Sequence, residues 1–321
     1  MSAELAVAAV ALVAVFLYAL FGGADFGGGV WDALASGPRR AEQREAIGHA
    51  IGPVWETNHV WLIFLIVICF TCFPPAFAAL ATGLYVPLTF VLVGIILRGA
   101  AYAFRAQADN EGPLGRLWGH LFGIASIIAP FFFGTAVGAL TAGDYVWYAP
   151  FPLCIGMLAV SLCTQVAAIF LIFETQGALR EDYRIRAITA TFVLAATGAI
   201  ALAVARMTAP QIFAGLTRPS SLAGIAVAMS LGFVVLGATY AHRFAIARIA
   251  VAAEVLAVLC GWYAAQAPYL VPHQLTYEQA AAPPATLRAF LILTAIGTAL
   301  LIPSLALLFK LFKGAAPTPS R

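Results

Sequence analysis

The sequence has few charged residues: 17 Lys and Arg and 14 Asp and Glu, together 10% of 321 residues. A soluble domain of this length needs a far larger charged surface, so an ordinary water-soluble globular protein is excluded. The basic residues form no cluster of the kind that marks a nucleic-acid interface, so we expect no nucleic-acid partner. Hydrophobic residues make up 63% of the chain and lie in long runs, which is typical of membrane spans.

Cysteines are also scarce, and all of them lie in apolar surroundings. Cys69, Cys72, Cys154, Cys163 and Cys260 each fall inside a hydrophobic run, which argues against a disulfide framework. Cys69 and Cys72 have C-x-x-C spacing, and on a helix both thiols would share one face. Without a second pair of ligands, this spacing indicates a packed helix contact rather than a metal or redox site, and no metal is predicted.

The hydrophobic runs predict the number of spans. The N-terminus lacks the basic segment and cleavage site of a signal peptide, so the first run is predicted to be a retained helix. A span needs roughly 20 apolar residues. Nine stretches meet this length, at 3–24, 54–73, 76–98, 119–141, 151–173, 187–206, 221–240, 247–266 and 288–310. The predicted fold class is an all-α polytopic membrane protein, with one transmembrane domain over 1–313 and a short cytoplasmic tail at 314–321.

The distribution of Lys and Arg predicts the orientation. If the loop at 25–53 is cytoplasmic, only Arg206, Arg218 and Arg288 of the 17 basic residues fall on the other side. Cytoplasmic loops of membrane proteins carry such an excess of basic residues. The N-terminus is therefore predicted to lie outside and the C-terminus in the cytoplasm.

Asp25 and Glu254 are acids within apolar surroundings. A charge at the centre of a span costs roughly 2.5–3.5 kcal/mol, so both acids need an explanation. Asp25 lies among five glycines in residues 22–29, a pattern of a broken or closely packed helix end. Asp25 is either a proton-path carboxylate or an interfacial acid. Glu254 either carries protons or is a neutral acid that bonds helices together. Glu174, at a span end, is interpreted as interfacial.

Glu56 stands at the entrance of the second span, in Gly52-Pro-Val-Trp-Glu-Thr-Asn-His-Val-Trp61. Pro53 suits a first helical turn, where the helix dipole stabilises an acid, and this alone could explain Glu56. Capping does not explain why several other polar and aromatic residues crowd into the same seven positions, so a functional role is favoured. These residues are Trp55, Asn58, His59 and Trp61.

The histidines do not support a haem held by this chain alone. A bis-histidine site needs two histidines that face each other at one depth of the membrane. His59 is the only histidine well inside a predicted span, and it has no obvious mate. We therefore expect no directly bound cofactor, and we interpret His59 as a hydrogen-bonding residue at a helix or subunit contact.

Several motifs resemble subunit II of the cytochrome bd quinol oxidases. These are Ala24-Asp-Phe-Gly-Gly-Gly-Val-Trp31, Ile51-Gly-Pro-Val-Trp-Glu-Thr-Asn-His-Val-Trp-Leu-Ile63, Gly83-Leu-Tyr-Val-Pro87, Leu97-Arg98 and Tyr102-Ala-Phe-Arg105. The nine-span layout and the Pro268–Pro284 loop are also similar, so the resemblance covers essentially the whole chain. The stretch around Trp55 and Trp61 is its most specific part.

The resemblance implies a subunit without catalytic residues of its own, in the bacterial cytoplasmic membrane. Its partner would be a haem-bearing subunit I, with haems b and d or b only, and a small single-span subunit could attach. The complex would oxidise quinol and reduce dioxygen to water. Asp25 and Glu56 match acids that the family uses in a cytoplasmic proton route, and quinone or lipid could fill a groove. Known members have aspartate at Glu56, and some have glutamine at His59, as in a bd-like or cyanide-insensitive branch.

The resulting hypothesis is a non-haem oxidase subunit. Its predicted proton-pathway residues are Asp25, Glu56 and Glu254. Its predicted interface and water-path residues are Trp55, Asn58, His59, Trp61 and Arg98. Three alternatives remain open: a secondary transporter that uses intramembrane carboxylates, a self-sufficient cytochrome b, and a pure scaffold for the partner.

Overall fold

The computed structural model describes residues 2–107 and 112–313, and of residues 51–56, 106, 305–306 and 308–313 it describes only the backbone. Twelve helices and one small hairpin make up this part of the chain. They are α1 (Ala3–Ala33), α2 (Arg40–Cys72), α3 (Pro74–Gly83), α4 (Tyr85–Gln107), α5 (Pro113–Ala142), α6 (Pro150–Glu174), α7 (Gly177–Thr208), α8 (Pro210–Leu216), α9 (Pro219–Tyr240), α10 (Phe244–Gln266), β1 (Tyr269–Val271), β2 (Leu275–Thr276), α11 (Tyr277–Ala280) and α12 (Pro284–Lys313).

The predicted all-α polytopic fold is confirmed. Within the described residues, eight helices are long and apolar enough to cross a membrane, and a bent pair raises the number to nine. Helices α1, α5 and α6 pack on one another at the centre, α2 and α4 flank them on one side, and α7, α9 and α10 on the other. Two short antiparallel strands, β1 and β2, are the one addition to the helical fold in this part of the chain. The predicted tail at 314–321 lies outside the described residues.

Polar contacts show which segments share an end of the bundle. At one end, Arg39 before α2 pairs with Asp182 of α7, and Arg105 of α4 pairs with Asp32 of α1. At the opposite end, the Ala282 N–H donates to the Cys72 carbonyl oxygen. The segments that meet at the first end are those that the charge pattern assigned to the cytoplasm. The orientation itself stays a prediction.

The predicted limits of two spans were wrong. The first span does not end at residue 24, because α1 continues through the glycines to Ala33 and carries Asp25 well inside the helix. The span predicted at 76–98 instead consists of two helices. The chain turns by 118° between Thr57–Cys72 and Pro74–Gly83, and α4 then begins at Tyr85. Pro87 has no N–H to donate to the Gly83 carbonyl, which favours a break between α3 and α4 at this point.

The glycines of α1 lie within the helix and allow very close packing against its neighbours. A Cβ on Gly27 would overlap the Cys163 carbonyl oxygen of α6, and one on Gly29 would overlap the Ser126 Oγ of α5. Small residues let membrane helices approach until their backbones touch. The glycine-rich pattern therefore marks a closely packed helix, and the interpretation as a broken helix is wrong.

Replacement of Gly27 by alanine should destabilise the protein. The added Cβ must displace α6 backbone, and overpacking of this kind costs about 1–3 kcal/mol. We expect a lower melting temperature in detergent, measured by thiol-dye accessibility on heating. Gly119→Ala is the matched control, since Gly119 is also a buried helical glycine but has no atom within 4 Å of an added Cβ. Equal melting temperatures for the two variants would contradict the close contact between α1 and α6.

Candidate functional site

The centre of the bundle contains an ion pair between Asp25 of α1 and Arg98 of α4. Both side chains are fully enclosed, at 0% and 1% exposure. Arg98 donates from Nη1 to Asp25 Oδ2 at 2.8 Å, and from Nη2 to Asp25 Oδ1 at 2.7 Å and to the Asp25 carbonyl oxygen at 2.9 Å. Such a two-pronged pairing fixes the orientation of both groups.

Residues of α1 and α5 complete the surroundings of the Arg98 guanidinium. Its Nε donates to Ser126 Oγ at 3.0 Å, and Ser126 in turn donates to the Phe122 carbonyl oxygen. The guanidinium carbon lies 5.3 Å from the ring centre of Phe26 and 4.8 Å from that of Phe122. The two rings add cation–π attraction in a site without water-exposed surface. Arg98 therefore reaches α1 alongside α5, where Gly29 leaves space for the Ser126 side chain.

Asn58 of α2 is a third member of this site. Its Nδ2 donates to Asp25 Oδ2 at 3.4 Å, and its side chain is fully buried. Gly22 provides the necessary space, because a Cβ there would lie 3.0 Å from the Asn58 oxygen. The Asn58 Oδ1 has no hydrogen-bond partner among the described residues. The motif at 52–61 therefore delivers one amide directly to the Asp25 carboxylate.

A second ion pair lies two helical turns from the first. Asp32 stands seven residues after Asp25, and Arg105 stands seven residues after Arg98. Arg105 Nη1 donates to Asp32 Oδ2 at 2.8 Å, and Arg44 Nε lies 3.9 Å from Asp32 Oδ1. Burial lowers the pKa of Arg44, and the Asp32 carboxylate opposes this shift. Two parallel ion pairs at equal spacing therefore join α1 to α4, and α4 otherwise packs mainly on α5.

A polar network closes the same end of the bundle beyond Asp32. Arg39 donates to both oxygens of Asp182, while Arg186 Nη2 donates to Gln43 Oε1 at 2.7 Å. Hydrogen bonds from Arg39 to Asp182 raise the pKa of Arg39. The Tyr183 hydroxyl donates to the Gln43 carbonyl oxygen at 3.1 Å. The network links the segment before α2 to the start of α7, and Arg39 and Asp182 are partly exposed there.

Glu254 of α10 forms a separate site on the other side of α6. Gln165 of α6 donates from Nε2 to Glu254 Oε2 at 3.1 Å and to Thr191 Oγ1 at 3.3 Å. Glu254 is 6% exposed, and no cation lies within ion-pair distance of it in the described part of the chain. Asp25 and Glu254 are thus both buried acids, but only Asp25 has a cationic partner there.

The structure brings some of the predicted residues together and separates others. Asp25, Asn58 and Arg98 form one site, and Trp61 packs in the apolar cluster that contains Phe26. His59 is half-buried beside them on α2. Glu254 lies elsewhere, across α6. The side chains of Trp55 and Glu56 lie outside the described residues.

Sequence reasoning missed several partners of these residues. Ser126, Gln165 and Thr191 are ordinary small or neutral residues within apolar runs, and only Gln165 stands out as an amide inside a span. Asp32 and Arg105 had a usable signal, because each repeats a predicted site residue seven positions later, on the same helix face.

The histidines and cavities bear on the question of a bound cofactor. Of the five histidines, four are exposed, namely His49, His120, His242 and His273, and His59 is half-buried. No group of three or more His, Cys, Asp or Glu in the described ranges could hold a metal ion. Two cavities in the described part of the chain measure about 50 and 120 Å³. Both are well below the roughly 300 Å³ at which ordinary ligand pockets begin.

Comparison with known proteins gives one family. The sequence model of the family described as cytochrome bd terminal oxidase subunit II matches residues 3–312. The bd oxidase structure from Geobacillus thermodenitrificans has a chain that superimposes with a TM-score of 0.82 at 22% identity. That superposition covers 97% of this chain and 99% of the other, and it supports the fold.

Curated relatives match only part of the chain. Cytochrome bd ubiquinol oxidase subunit 2 of Bacillus subtilis is 28% identical over 156 residues, 44% of this chain and 45% of that protein. Cytochrome bd-I ubiquinol oxidase subunit 2 of Escherichia coli K12 is 28% identical over 171 residues, 48% and 45%. The probable cytochrome oxidase subunit 2 of Haemophilus influenzae is 30% identical over 167 residues, 46% and 43%. The chain thus spans about half the length of the curated relatives it matches.

Asp25→Asn should strongly destabilise the protein, because it leaves the buried Arg98 charge unpaired. Loss of one partner of such a pair costs about 3–5 kcal/mol. The double variant Asp25→Asn with Arg98→Gln removes both charges and should regain a large part of that loss. Melting temperatures of the single and double variants in detergent measure the coupling.

Asp144→Asn is the control for this cycle, since Asp144 is an exposed acid at the opposite end of the bundle and should change stability little. A double variant no more stable than Asp25→Asn would show that the pair is not energetically coupled.

Proposed function

Because this chain belongs to the cytochrome bd terminal oxidase subunit II family, we propose that it is the non-haem subunit of a quinol:oxygen oxidoreductase. It is a multi-pass protein of the bacterial inner membrane. The complex would oxidise quinol and reduce dioxygen to water. The haems b and d, or b only, would be held by subunit I.

The observation that carries the proposal is the enclosed Asp25–Arg98 pair with Asn58 against it. Removing two charges from water is expensive, and a chain that only filled space could use apolar residues there at equal or greater stability. Ionisable groups inside a membrane protein are retained chiefly where ions or protons move. The pair is therefore better explained by a role in charge movement than by a scaffold alone.

In the proposed mechanism, this chain holds protons on their way from the cytoplasm to the oxygen-reducing site of the partner. Glu56, at the entrance of α2, would take up a proton and pass it toward the region of Asp25. Arg98 would keep Asp25 in place and provide a fixed positive charge there. Trp55, Asn58, His59 and Trp61 would order the subunit contact and the water path.

Moving a proton inward compensates the charge that each arriving electron brings into a region of low dielectric. In water-like surroundings two unit charges 4 Å apart interact by only about 1 kcal/mol, but the interaction is several-fold larger inside a protein. A carboxylate route through this subunit therefore serves the redox centres of its neighbour. Glu254 would provide a second proton-holding group, on the far side of α6.

Further partners are proposed on the same basis. A small single-span subunit could attach to the complex, and α12 offers an apolar surface for lipid or protein, since its span is only 6% buried. A quinone or lipid could bind this chain in a groove on its outer face or at the subunit contact.

The assignment is tested by purification. A tagged copy of the chain, produced with the subunits encoded beside it, should carry a haem-bearing polypeptide and give a reduced-minus-oxidised spectrum of b-type or b- and d-type haem. The chain produced alone should give no haem spectrum and no oxygen consumption. Activity or solute flux from the lone chain would contradict the proposal and support a self-sufficient cytochrome or a transporter.

Glu56→Gln should lower oxygen consumption of the assembled complex by about tenfold or more, with haem content unchanged. The amide cannot release a proton, and loss of a proton-transfer group typically costs 10²–10⁴-fold in the transfer step. Glu45→Gln is the matched control, because Glu45 is an exposed acid on the same helix, with its side chain 74% exposed. Normal turnover for Glu56→Gln at normal haem content would remove Glu56 from the route and favour a scaffold.

A further inference from the structure

Gln165 occupies the middle of α6 with its side chain fully buried. The neighbouring residues Cys163 and Val166 face α1, where they contact Gly27 and Gly23. Gln165 points the other way, toward Thr191 of α7 and Glu254 of α10. The buried amide has two hydrogen-bond partners among the described residues, so its orientation depends on whether the carboxyl group of Glu254 is ionised or protonated.

The amide is oriented to suit an ionised Glu254. Gln165 Nε2 donates to Glu254 Oε2 and to Thr191 Oγ1. Thr191 is an acceptor here because its own hydroxyl hydrogen is donated to the Ala187 carbonyl oxygen. The Gln165 Oε1 is buried and has no hydrogen-bond partner in the described part of the chain. A donor turned toward the acid and an acceptor left unused is the pattern expected for a carboxylate.

The surroundings of Glu254 suit a neutral acid instead. Gln165 of α6 donates the hydrogen bond that Glu254 accepts among the described residues, and α9 presents Gly232, where a Cβ would lie 3.0 Å from Oε1. The nearest base along α10 is Arg248, which lies over the rings of Phe170 and Phe173. Asp25 is on the opposite side of α6. A lone buried charge is strongly penalised when no cation is near.

We propose that Glu254 binds and releases one proton, and that the Gln165 amide group rotates by half a turn each time. This step deepens the proposed proton route and rests on it. When a proton from the route bonds to Glu254 Oε2, the new O–H donates to Gln165 Oε1, which has exchanged places with Nε2. The Thr191 hydroxyl then rotates from the Ala187 carbonyl oxygen to the same Oε1.

The two end states of the turn fill the same space, because amide oxygen and nitrogen have nearly the same size. It moves the unsatisfied group rather than creating one: Oε1 lacks a partner before the turn and Nε2 lacks one after it. The two states therefore carry similar hydrogen-bonding penalties. Gln165 and Thr191 are thus positioning residues that adapt to either charge state of Glu254.

Infrared difference spectroscopy of the assembled oxidase, between acidic and alkaline pH, tests this coupling. In the unaltered complex we expect a band from a protonated carboxyl group, together with an amide carbonyl band that shifts when glutamine is isotopically labelled. Glu254→Gln should abolish both bands. Gln165→Leu should abolish the amide band and shift the carboxyl band to higher frequency, because the acid loses its acceptor. If this variant does not assemble, Gln165→Met replaces it.

Glu174→Gln and Gln211→Leu are matched controls, since both side chains are exposed, and each should leave the two bands in place. Retention of the amide band in Gln165→Leu, or of the carboxyl band in Glu254→Gln, would overturn the inference. Oxygen consumption separates it from the proposed route. Normal turnover in Glu254→Gln with both bands lost would remove Glu254 from the route and leave the coupling intact. Reduced turnover in Glu254→Gln with an unchanged spectrum in Gln165→Leu would keep Glu254 in the route and overturn its coupling to the Gln165 amide.

Discussion

The Asp25–Arg98 pair is enclosed by the protein on all sides, and the packing of the central helices depends on this enclosure. Its charges are tolerable only because nearly every donor and acceptor has a partner: Asp25 accepts from Arg98 and Asn58, and Arg98 also donates to Ser126. The glycines of α1 contribute to the same enclosure. They bring α5 and α6 so close that the pair is sealed by backbone and by the rings of Phe26 and Phe122.

Hydropathy was sufficient to predict the helical membrane fold, because each span must satisfy its own backbone in lipid. It failed where local chemistry decides the helix limits. Glycines 27–29 looked like a helix end, and their role became clear only from the backbone of α6 against Gly27. The pairing of Asp25 with Arg98 was also beyond reach, since 73 residues separate them and no local pattern encodes which helices become neighbours.

The site residues were predictable to the extent that their residue type was out of place. Asp25 and Glu254 are acids in apolar surroundings, Asn58 belongs to the polar and aromatic group at the entrance of the second span, and Arg98 was indicated by the family resemblance; the structure buries all four. Their partners Ser126 and Thr191 carry no such signal, because small hydroxyl residues are common in spans. The division into two sites was likewise not foreseeable. It arises because Cys163 and Val166 of α6 pack toward the glycines of α1, whereas Gln165 of the same helix points toward Glu254.

The spacing of the two ion pairs between α1 and α4 acts as a register lock. Asp25–Arg98 and Asp32–Arg105 are separated by seven residues on each helix, about 10.5 Å along the axis at 1.5 Å per residue. A slide of one turn breaks both pairs at once, and a slide of two turns rejoins one while stranding two charges. Relative sliding of α1 and α4 along their axes therefore carries a high electrostatic cost, whereas a movement that turns or tilts them as one unit keeps both pairs.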